Sequence, residues 1–200
     1  SERRDAIPLE VENNFEEEVR LINQSGFVKW PQAVEHDILD SINDKVSFLI
    51  KNEKNLKSHD DHYAMVADPF LNVEETFGLA FRDHLLNFAT EYFNCYPGIG
   101  TFNLRRSFAN KLPPKSTQLY HCDRNSIKFF KFFLYLNDVE SPADGPLTIV
   151  KGSAHKRPQN AFTKHRWTDE EIKNLYGQDS IEYLTGKKGD LIAATTTCFH

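Results

Sequence analysis

Gln118-Leu119-Tyr120-His121-Cys122-Asp123 is the stretch around which the chain is organised. In a β-strand successive side chains point to opposite faces, so His121 and Asp123 project to one side and Cys122 to the other. An imidazole beside a carboxylate, joined by a second histidine, is the facial triad that holds non-haem Fe(II) and leaves coordination positions open. The pattern therefore predicts a metal site, with His200 as the second histidine.

A second His-x-Asp triplet, His59-Asp60-Asp61, shows how readily this pattern arises. Residues 51–62 are polar and lack alternation, whereas 118–123 leads into a long apolar segment. We therefore predict that His59, Asp61 and His62 belong to a solvated loop and do not bind a metal.

Composition excludes several classes of protein. The 200 residues carry a formal charge of −5 with scattered lysines and arginines, which argues against nucleic-acid binding. Three cysteines without a Cys-x-x-Cys pair argue against a disulfide framework or a zinc knuckle, and favour a cytoplasmic location. No apolar run approaches the ~20 residues of a membrane span, and the acidic first 20 residues do not resemble a signal peptide. A chain that starts with Ser and stops at a metal-ligand candidate is expected to be incomplete.

The first half of the chain predicts a layer of helices. Apolar residues recur at helical spacing in 14–25, 33–50 and 73–95. The last of these segments carries an aromatic stripe that we expect to pack on a sheet: Phe77, Phe81, Leu85, Phe88 and Tyr92. Residues 27–31 are typical of an edge strand because Pro31 cannot donate to a ladder, and 51–72 predicts a long loop.

The second half predicts strands, at 101–110, 118–123, 127–136, 147–150, 181–184 and 191–199. Within the insert 152–180, Thr168 and Glu171 form a capping-box pattern that opens a short helix ending before Gly177. Short strands after a helical layer predict a mainly β chain with N-terminal helices (α+β), folded as a jelly-roll or cupin-like barrel.

Three motifs follow the His-x-Asp pair in a specific order. They are Phe132-Phe133-Leu134-Tyr135-Leu136-Asn137-Asp138-Val139, then Asp144-Gly145-Pro146-Leu147, then Lys151-Gly152-Ser153-Ala154-His155-Lys156. From about residue 26 to 200 the chain resembles the phytanoyl-CoA dioxygenase family. The resemblance implies a double-stranded β-helix and one domain over 1–200, with a helical layer (1–97) and a β-helix core (98–200) truncated at its C-terminus.

The resemblance also implies an activity. His121, Asp123 and His200 would hold Fe(II), 2-oxoglutarate would chelate it, and O2 would take the remaining position. A small-molecule C–H bond would be hydroxylated with release of succinate and CO2. The carboxylate of Asp123 favours a hydroxylase over a halogenase, because Gly or Ala there would open a halide site.

The family binds the 5-carboxylate of 2-oxoglutarate with an arginine shortly after the distal histidine, where this chain stops. We expect that anchor in an omitted segment; otherwise a basic residue from another strand replaces it, and the candidates are Lys131, Arg105 and Arg106. Gln118 is a candidate hydrogen-bond partner of cosubstrate or substrate, although a structural hydrogen bond explains it equally well.

Two other interpretations stay open: a cupin that uses Zn, Ni or Mn without 2-oxoglutarate, and a non-catalytic binding module. Cys198 shares a face with His200 by alternation and lies either near the metal or in the core. The sequence identifies neither the substrate nor the oligomeric state.

Overall fold

The computed structural model describes residues 14–124 and 128–200. Its helices are α1 (Glu16–Ser25), α2 (His36–Lys51), α3 (Pro69–Asn72), α4 (Glu75–Ala80), α5 (Asp83–Phe93) and α6 (Asp169–Tyr176). Its strands are β1 (Phe27–Trp30), β2 (Leu56–His59), β3 (Tyr63–Val66), β4 (Arg105–Ser107), β5 (Lys131–Leu134), β6 (Leu147–Val150), β7 (Ile181–Leu184) and β8 (Leu191–Ala194). Across the described ranges, no helix is both long and apolar enough to cross a membrane.

All the strand pairs are antiparallel. One sheet has the order β1-β8-β5, a second has β2-β3-β4, and β6 pairs with β7. In the first sheet Trp30 pairs with Leu191, and Lys131 pairs with Ala194. All four residues of β8 are buried, as expected of a central strand covered on both faces. Helices combined with antiparallel sheets agree with the predicted α+β class.

The N-terminal helices follow the predicted periodicity. The α1 helix ends at Gly26, which has φ of 91° and donates its N–H to the carbonyl of Ile22 at 3.0 Å. Glycine adopts this left-handed conformation without the penalty that a Cβ brings. The α2 helix buries Leu39, Ile42, Val46 and Leu49 on one face. The edge position predicted for β1 is confirmed.

The prediction of a long loop over 51–72 was wrong for its central part. Strands β2 and β3 form a hairpin, and Oδ1 of Asp60 accepts the N–H groups of His62 (2.8 Å) and Tyr63 (3.2 Å) in the turn. Residues of β2 alternate between half-buried and exposed, but the second half-buried residue is the polar Ser58, so this strand lacks the apolar alternation that marks strands in a sequence.

The aromatic stripe over 73–95 is divided between two helices. Phe88 and Tyr92 in α5 are buried as predicted, but Phe77 and Phe81 are 57% and 43% exposed. The chain leaves the helical conformation at Arg82, whose ψ is 138° and whose guanidinium pairs with Glu35. The break changes the orientation of α4 relative to α5, so one stripe no longer faces one sheet.

The strand predicted at 118–123 was wrong: 116–118 is a 3₁₀ turn, and Tyr120 forms an isolated bridge with Trp167. The other predicted strands of the second half exist but are shorter in part, and 191–199 contracts to β8. The bounds of β6 and β7 match the prediction, while 101–110 contracts to β4 and 127–136 to β5; residue 127 lies outside the described ranges. The α6 helix opens with the predicted capping box, in which Oγ1 of Thr168 accepts the N–H of Glu171 at 3.3 Å.

Three further backbone segments lie side by side next to β6. The N–H of Val150 donates to the carbonyl of Phe199 at 2.8 Å. His121 and His200 exchange two backbone hydrogen bonds of 3.0 Å each. On the other side of the 120–121 segment, Tyr120 and Trp167 exchange two backbone hydrogen bonds, of 3.1 and 2.9 Å. These pairings bring residues 120–121 between 166–167 and 199–200.

Candidate metal centre

His121, Asp123 and His200 converge at the point where these segments pair. Their candidate ligand atoms all lie within 4.8 Å of one another. Nε2 of His121 is 3.9 Å from Oδ1 of Asp123, and Nε2 of His200 is 3.7 Å from Oδ2. Among the His, Cys, Asp and Glu side chains in the described ranges, these three have a spacing suited to a metal ion. The structure thus brings together the three residues that the sequence singles out.

Backbone carbonyls set the orientation of both imidazoles. Nδ1 of His121 lies 3.0 Å from the carbonyl oxygen of Leu119, and Nδ1 of His200 lies 3.1 Å from that of Cys198. A carbonyl only accepts, so each Nδ1 carries the proton and each Nε2 presents a lone pair. This arrangement is typical of histidines that bind metals through Nε2.

Burial sets the charges of the three groups. It lowers the pKa of His200 to about 4 and also lowers the pKa of His121, so both rings are neutral at pH 7. Burial alone would raise the pKa of Asp123, but the hydrogen bond from Lys131 and several smaller contributions together outweigh it, and the pKa is lowered. Two neutral imidazoles and one carboxylate are the donor set that suits non-haem Fe(II).

Lys131 reaches this centre from β5. Its ammonium group pairs with Oδ2 of Asp123, and its side chain is 35% exposed. A cation therefore lies beside the carboxylate, close enough to meet an anion that binds next to Asp123. Lys131 is the predicted cosubstrate residue that the structure brings to the three ligand candidates.

The other predicted cosubstrate residues have different partners. Arg106 donates to the side chain and backbone oxygens of Asn43 in α2, each at 3.3 Å. Gln118 is exposed in the 3₁₀ turn at 116–118, and its side-chain oxygen accepts the N–H of Lys115 at 3.0 Å. Arg105 donates to Oγ1 of Thr117 at 3.1 Å. None of these contacts involves the three ligand candidates.

The side chain of Cys198 packs in the core rather than at the centre, and the second His-x-Asp triplet forms no part of the three-residue group. Cys198 is 2% exposed and packs in a core cluster with Ile149, because a turn closed by its N–H and the carbonyl of Thr195 (3.0 Å) interrupts alternation. His59 and Asp61 are exposed as predicted. The prediction of a solvated His62 was wrong, since its side chain faces inward and the residue is 7% exposed.

Ser153 is a positioning residue that the sequence analysis missed. It is fully buried in the turn after β6, and its Oγ accepts the N–H of Phe199 at 2.8 Å while donating to the carbonyl of Val150 at 2.7 Å. The residue after Phe199 is His200. The Gly-Ser motif marked this residue in the sequence, but its partner is too distant along the chain for a local pattern to identify.

Comparison with known proteins shows the fold. No protein-family model and no curated protein matches this chain. HygX from Streptomyces hygroscopicus, solved with nickel and 2-oxoglutarate bound, has a TM-score of 0.60 at 15% identity, covering 92% of this chain and 78% of its own. The α-ketoglutarate-dependent carbocyclase SnoK from nogalamycin biosynthesis also has a TM-score of 0.60 at 15% identity, covering 97% and 79%.

A third similar structure is the epimerase SnoN in complex with Fe3+, α-ketoglutarate and nogalamycin RO, with a TM-score of 0.58 at 15% identity over 92% of this chain and 75% of its own. These three proteins share a fold with this chain: HygX binds 2-oxoglutarate, and SnoK and SnoN are an α-ketoglutarate-dependent carbocyclase and epimerase. The narrower resemblance to the phytanoyl-CoA dioxygenase family stays a prediction.

Proposed function

We propose that this chain is an Fe(II)- and 2-oxoglutarate-dependent oxygenase that hydroxylates a small molecule. The observation that carries the proposal is the convergence of two Nε2 lone pairs on the carboxylate of Asp123, within 4.8 Å. The hydrogen bonds from both Nδ1 atoms to backbone carbonyls support it, because they direct those lone pairs at the centre.

In this proposal each residue has a distinct role. His121, Asp123 and His200 hold the iron, and the ammonium group of Lys131 binds the 5-carboxylate of 2-oxoglutarate. Held by these residues, iron would supply the coupling of oxidative decarboxylation of 2-oxoglutarate by O2, giving succinate and CO2, to insertion of one oxygen atom into a substrate C–H bond. The buried imidazoles limit access of water to the ligand side of the centre.

Hydroxylation is the outcome that we propose among the reactions of this fold. The similar structures include a carbocyclase and an epimerase, so the fold alone does not select a reaction. Asp123 supports hydroxylation over halogenation because its carboxylate occupies the position that a halide needs.

We also propose that residues 1–200 form one domain of the phytanoyl-CoA dioxygenase type, a double-stranded β-helix with an N-terminal helical layer. Pairing of β1 with β8 supports this, because it joins the two halves of the chain in one sheet. A reducing cytoplasm is the location that we propose, supported by the unpaired Cys95, Cys122 and Cys198.

Turnover without substrate tests the proposal. Purified protein would be incubated with Fe(II), ascorbate and 2-oxoglutarate while O2 uptake and succinate are measured. We expect slow succinate formation by the wild type and none by Asp123→Ala. Asp61→Ala, which alters the exposed aspartate of the other His-x-Asp triplet, is the matched control and should retain the wild-type rate. If Asp123→Ala also formed succinate at the wild-type rate, the assignment of Asp123 as a metal ligand would be contradicted.

One observation favours a second candidate, a binding module without metal. The ammonium group of Lys131 already neutralises Asp123, as it would in a protein that never binds a cation. Equilibrium dialysis against Fe(II) under anaerobic conditions separates the two. One bound metal per chain, lost in His121→Ala, supports the oxygenase, whereas no bound metal and no affinity for 2-oxoglutarate supports the module.

A further inference from the structure

Backbone pairing places an arginine next to His121. Tyr120 and Trp167 form an isolated antiparallel bridge through two backbone hydrogen bonds, so His121 and Arg166, the residues directly beside it on the two segments, occupy opposing positions. Side chains of such a pair lie on the same face, with Cβ atoms about 5 Å apart. Arg166 is therefore the cross-strand neighbour of His121.

The opposite face of the same segments confirms this alternation. Tyr120, Trp167 and Phe199 belong to one buried apolar cluster. Their neighbours along the chain, His121, Arg166 and His200, lie on the other face. The positive charge of Arg166 also contributes, after burial, to the lowered pKa of His121. Arg166 therefore borders the candidate metal centre on the flank away from His200.

The guanidinium group of Arg166 has little else to bind. Its Nη1 donates to the carbonyl of His165 at 2.9 Å. Within the described ranges no carboxylate forms an ion pair with it, although Glu171 of the nearby α6 pairs with Lys164. The side chain is half-buried, so its remaining donors lie at a site partly shielded from water. The guanidinium group is already partly desolvated, and an incoming anion would not have to displace a protein carboxylate from it.

The charges at the centre leave room for one more anion. Two cationic side chains, Lys131 and Arg166, accompany the single carboxylate of Asp123. A divalent metal and the dianion 2-oxoglutarate cancel each other, so the loaded centre would keep one net positive charge. A substrate with one anionic group would neutralise it.

We propose that Arg166 recognises a carboxylate, or a similarly shaped oxyanion, on the substrate and thereby holds it beside His121. This inference rests on the proposed function. It assigns Lys131 to the cosubstrate and Arg166 to the substrate, because Lys131 pairs with Asp123 from β5, whereas Arg166 lies on the separate segment that pairs with Tyr120. A guanidinium fork takes two oxygens of one carboxylate and so fixes its orientation as well as its position.

A pair of isosteric probes tests the assignment. The protein is loaded with Zn(II), which is redox-inert, and with 2-oxoglutarate, and their binding is verified by calorimetry. Propionate and propionamide are then titrated while the ¹H–¹⁵N resonance of the Trp167 indole is followed. The two probes have the same shape and differ in charge, so their affinity ratio reports the anion site.

We expect the wild type to bind propionate about tenfold more tightly than propionamide, which corresponds to one charge-assisted hydrogen-bonded pair. Arg166→Gln should bring the ratio close to one, and Arg166→Lys should retain part of it. Arg20→Gln is the matched control, since Arg20 is exposed on α1 and pairs with Glu17. It should keep the wild-type ratio.

Three results would overturn the inference. The first is a wild-type ratio near one. The second is an unchanged ratio in Arg166→Gln. The third is weaker binding of 2-oxoglutarate to Arg166→Gln than to the wild type by about tenfold, which would assign the arginine to the cosubstrate. Failure of the proposed function gives a different result, because the wild type would then bind neither Zn(II) nor 2-oxoglutarate.

Discussion

The hydroxyl of Ser153 and the backbone N–H of Phe199 form a hydrogen bond of 2.8 Å. Both residues are buried, and Phe199 directly precedes His200. A turn after β6 thus holds the backbone that presents one imidazole to the candidate metal. Loss of the hydroxyl would leave a buried N–H without its partner and free the segment to shift.

Ser153→Ala should therefore lower both stability and metal affinity. We expect a loss of about 1–3 kcal/mol in the free energy of unfolding, the usual penalty for a buried donor left unsatisfied. Urea denaturation and competition with a chelator measure the two effects. Ser180→Ala removes a hydroxyl that bonds the carbonyl of Tyr176 in a half-buried position, and should leave metal affinity unchanged. Equal metal affinities for Ser153→Ala and the wild type would contradict the positioning role.

Lys131→Met should separate cosubstrate binding from metal binding. If the ammonium group anchors the 5-carboxylate, the affinity for 2-oxoglutarate should fall about 10- to 100-fold, the value of one charged hydrogen bond. Metal affinity without cosubstrate should not fall, because the ammonium group competes with the metal for Asp123. Calorimetry with Zn(II), then 2-oxoglutarate, checks both. Lys128→Met is the control, since Lys128 instead lies over the ring of Tyr92.

The buried Asp190 should make stability depend on pH. Its carboxylate pairs with Lys29 at 2.7 Å and accepts the N–H groups of Gln32 and Lys187, each at 2.9 Å. Burial alone would raise the pKa of Asp190, but these donors, led by Lys29, hold it below the ordinary value. The stabilisation is therefore present above the unfolded pKa of about 3.9 and lost as the pH falls through the lower folded pKa.

Urea denaturation of the wild type and Asp190→Asn measures this effect. We expect the variant to be less stable by about 3 kcal/mol at neutral pH, because one partner of a buried ion pair is removed. The difference should shrink below about pH 4. Asp37→Asn, at an exposed position of α2, should differ little from the wild type throughout. A difference for Asp190→Asn that stays constant with pH would refute the linkage.

Gly26→Ala should destabilise the fold for two reasons. An alanine at φ of 91° costs about 1–2 kcal/mol, and its Cβ would lie 3.0 Å from Sγ of Cys198. The close contact adds about 1–3 kcal/mol of overpacking. Thermal and urea denaturation check the sum. Gly78→Ala, in an exposed helical position where a Cβ meets nothing within 4 Å, should be neutral or stabilising.

A double-mutant cycle isolates the steric part of this effect. In a Cys198→Ala background the Sγ atom is absent, so Gly26→Ala should destabilise the protein less than it does in the wild type. Additive effects of the two substitutions would show that backbone conformation alone accounts for the loss.

Local rules predicted the features that depend on a few neighbouring residues. Alternation predicted that His121 and Asp123 share a face, and helical spacing predicted a helix with one apolar face within 33–50. The choice of His200 needed the order of several motifs, because no local pattern relates residue 121 to residue 200. The shared face and the helix could thus be predicted from local sequence alone, whereas His200 required the order of motifs along the chain.

Residues whose roles depend on pairing between distant segments were missed. Arg166 neighbours His121 because Tyr120 pairs with Trp167, and no periodicity identifies that pairing. The β2–β3 hairpin was missed because one of its strands lacks apolar alternation. The prediction of one aromatic stripe through Phe77 was wrong because two residues, Phe81 and the extended Arg82, separate α4 from α5.

The pairing of β1 with β8 has a consequence for synthesis of the protein. Residues 27–30 leave the ribosome well before their partners at 191–194. Until then the nascent polypeptide exposes Phe27, Val28 and Trp30 without a ladder to cover them. A pairing between residues so far apart in sequence slows folding. This strand should therefore be a binding site for chaperones during translation.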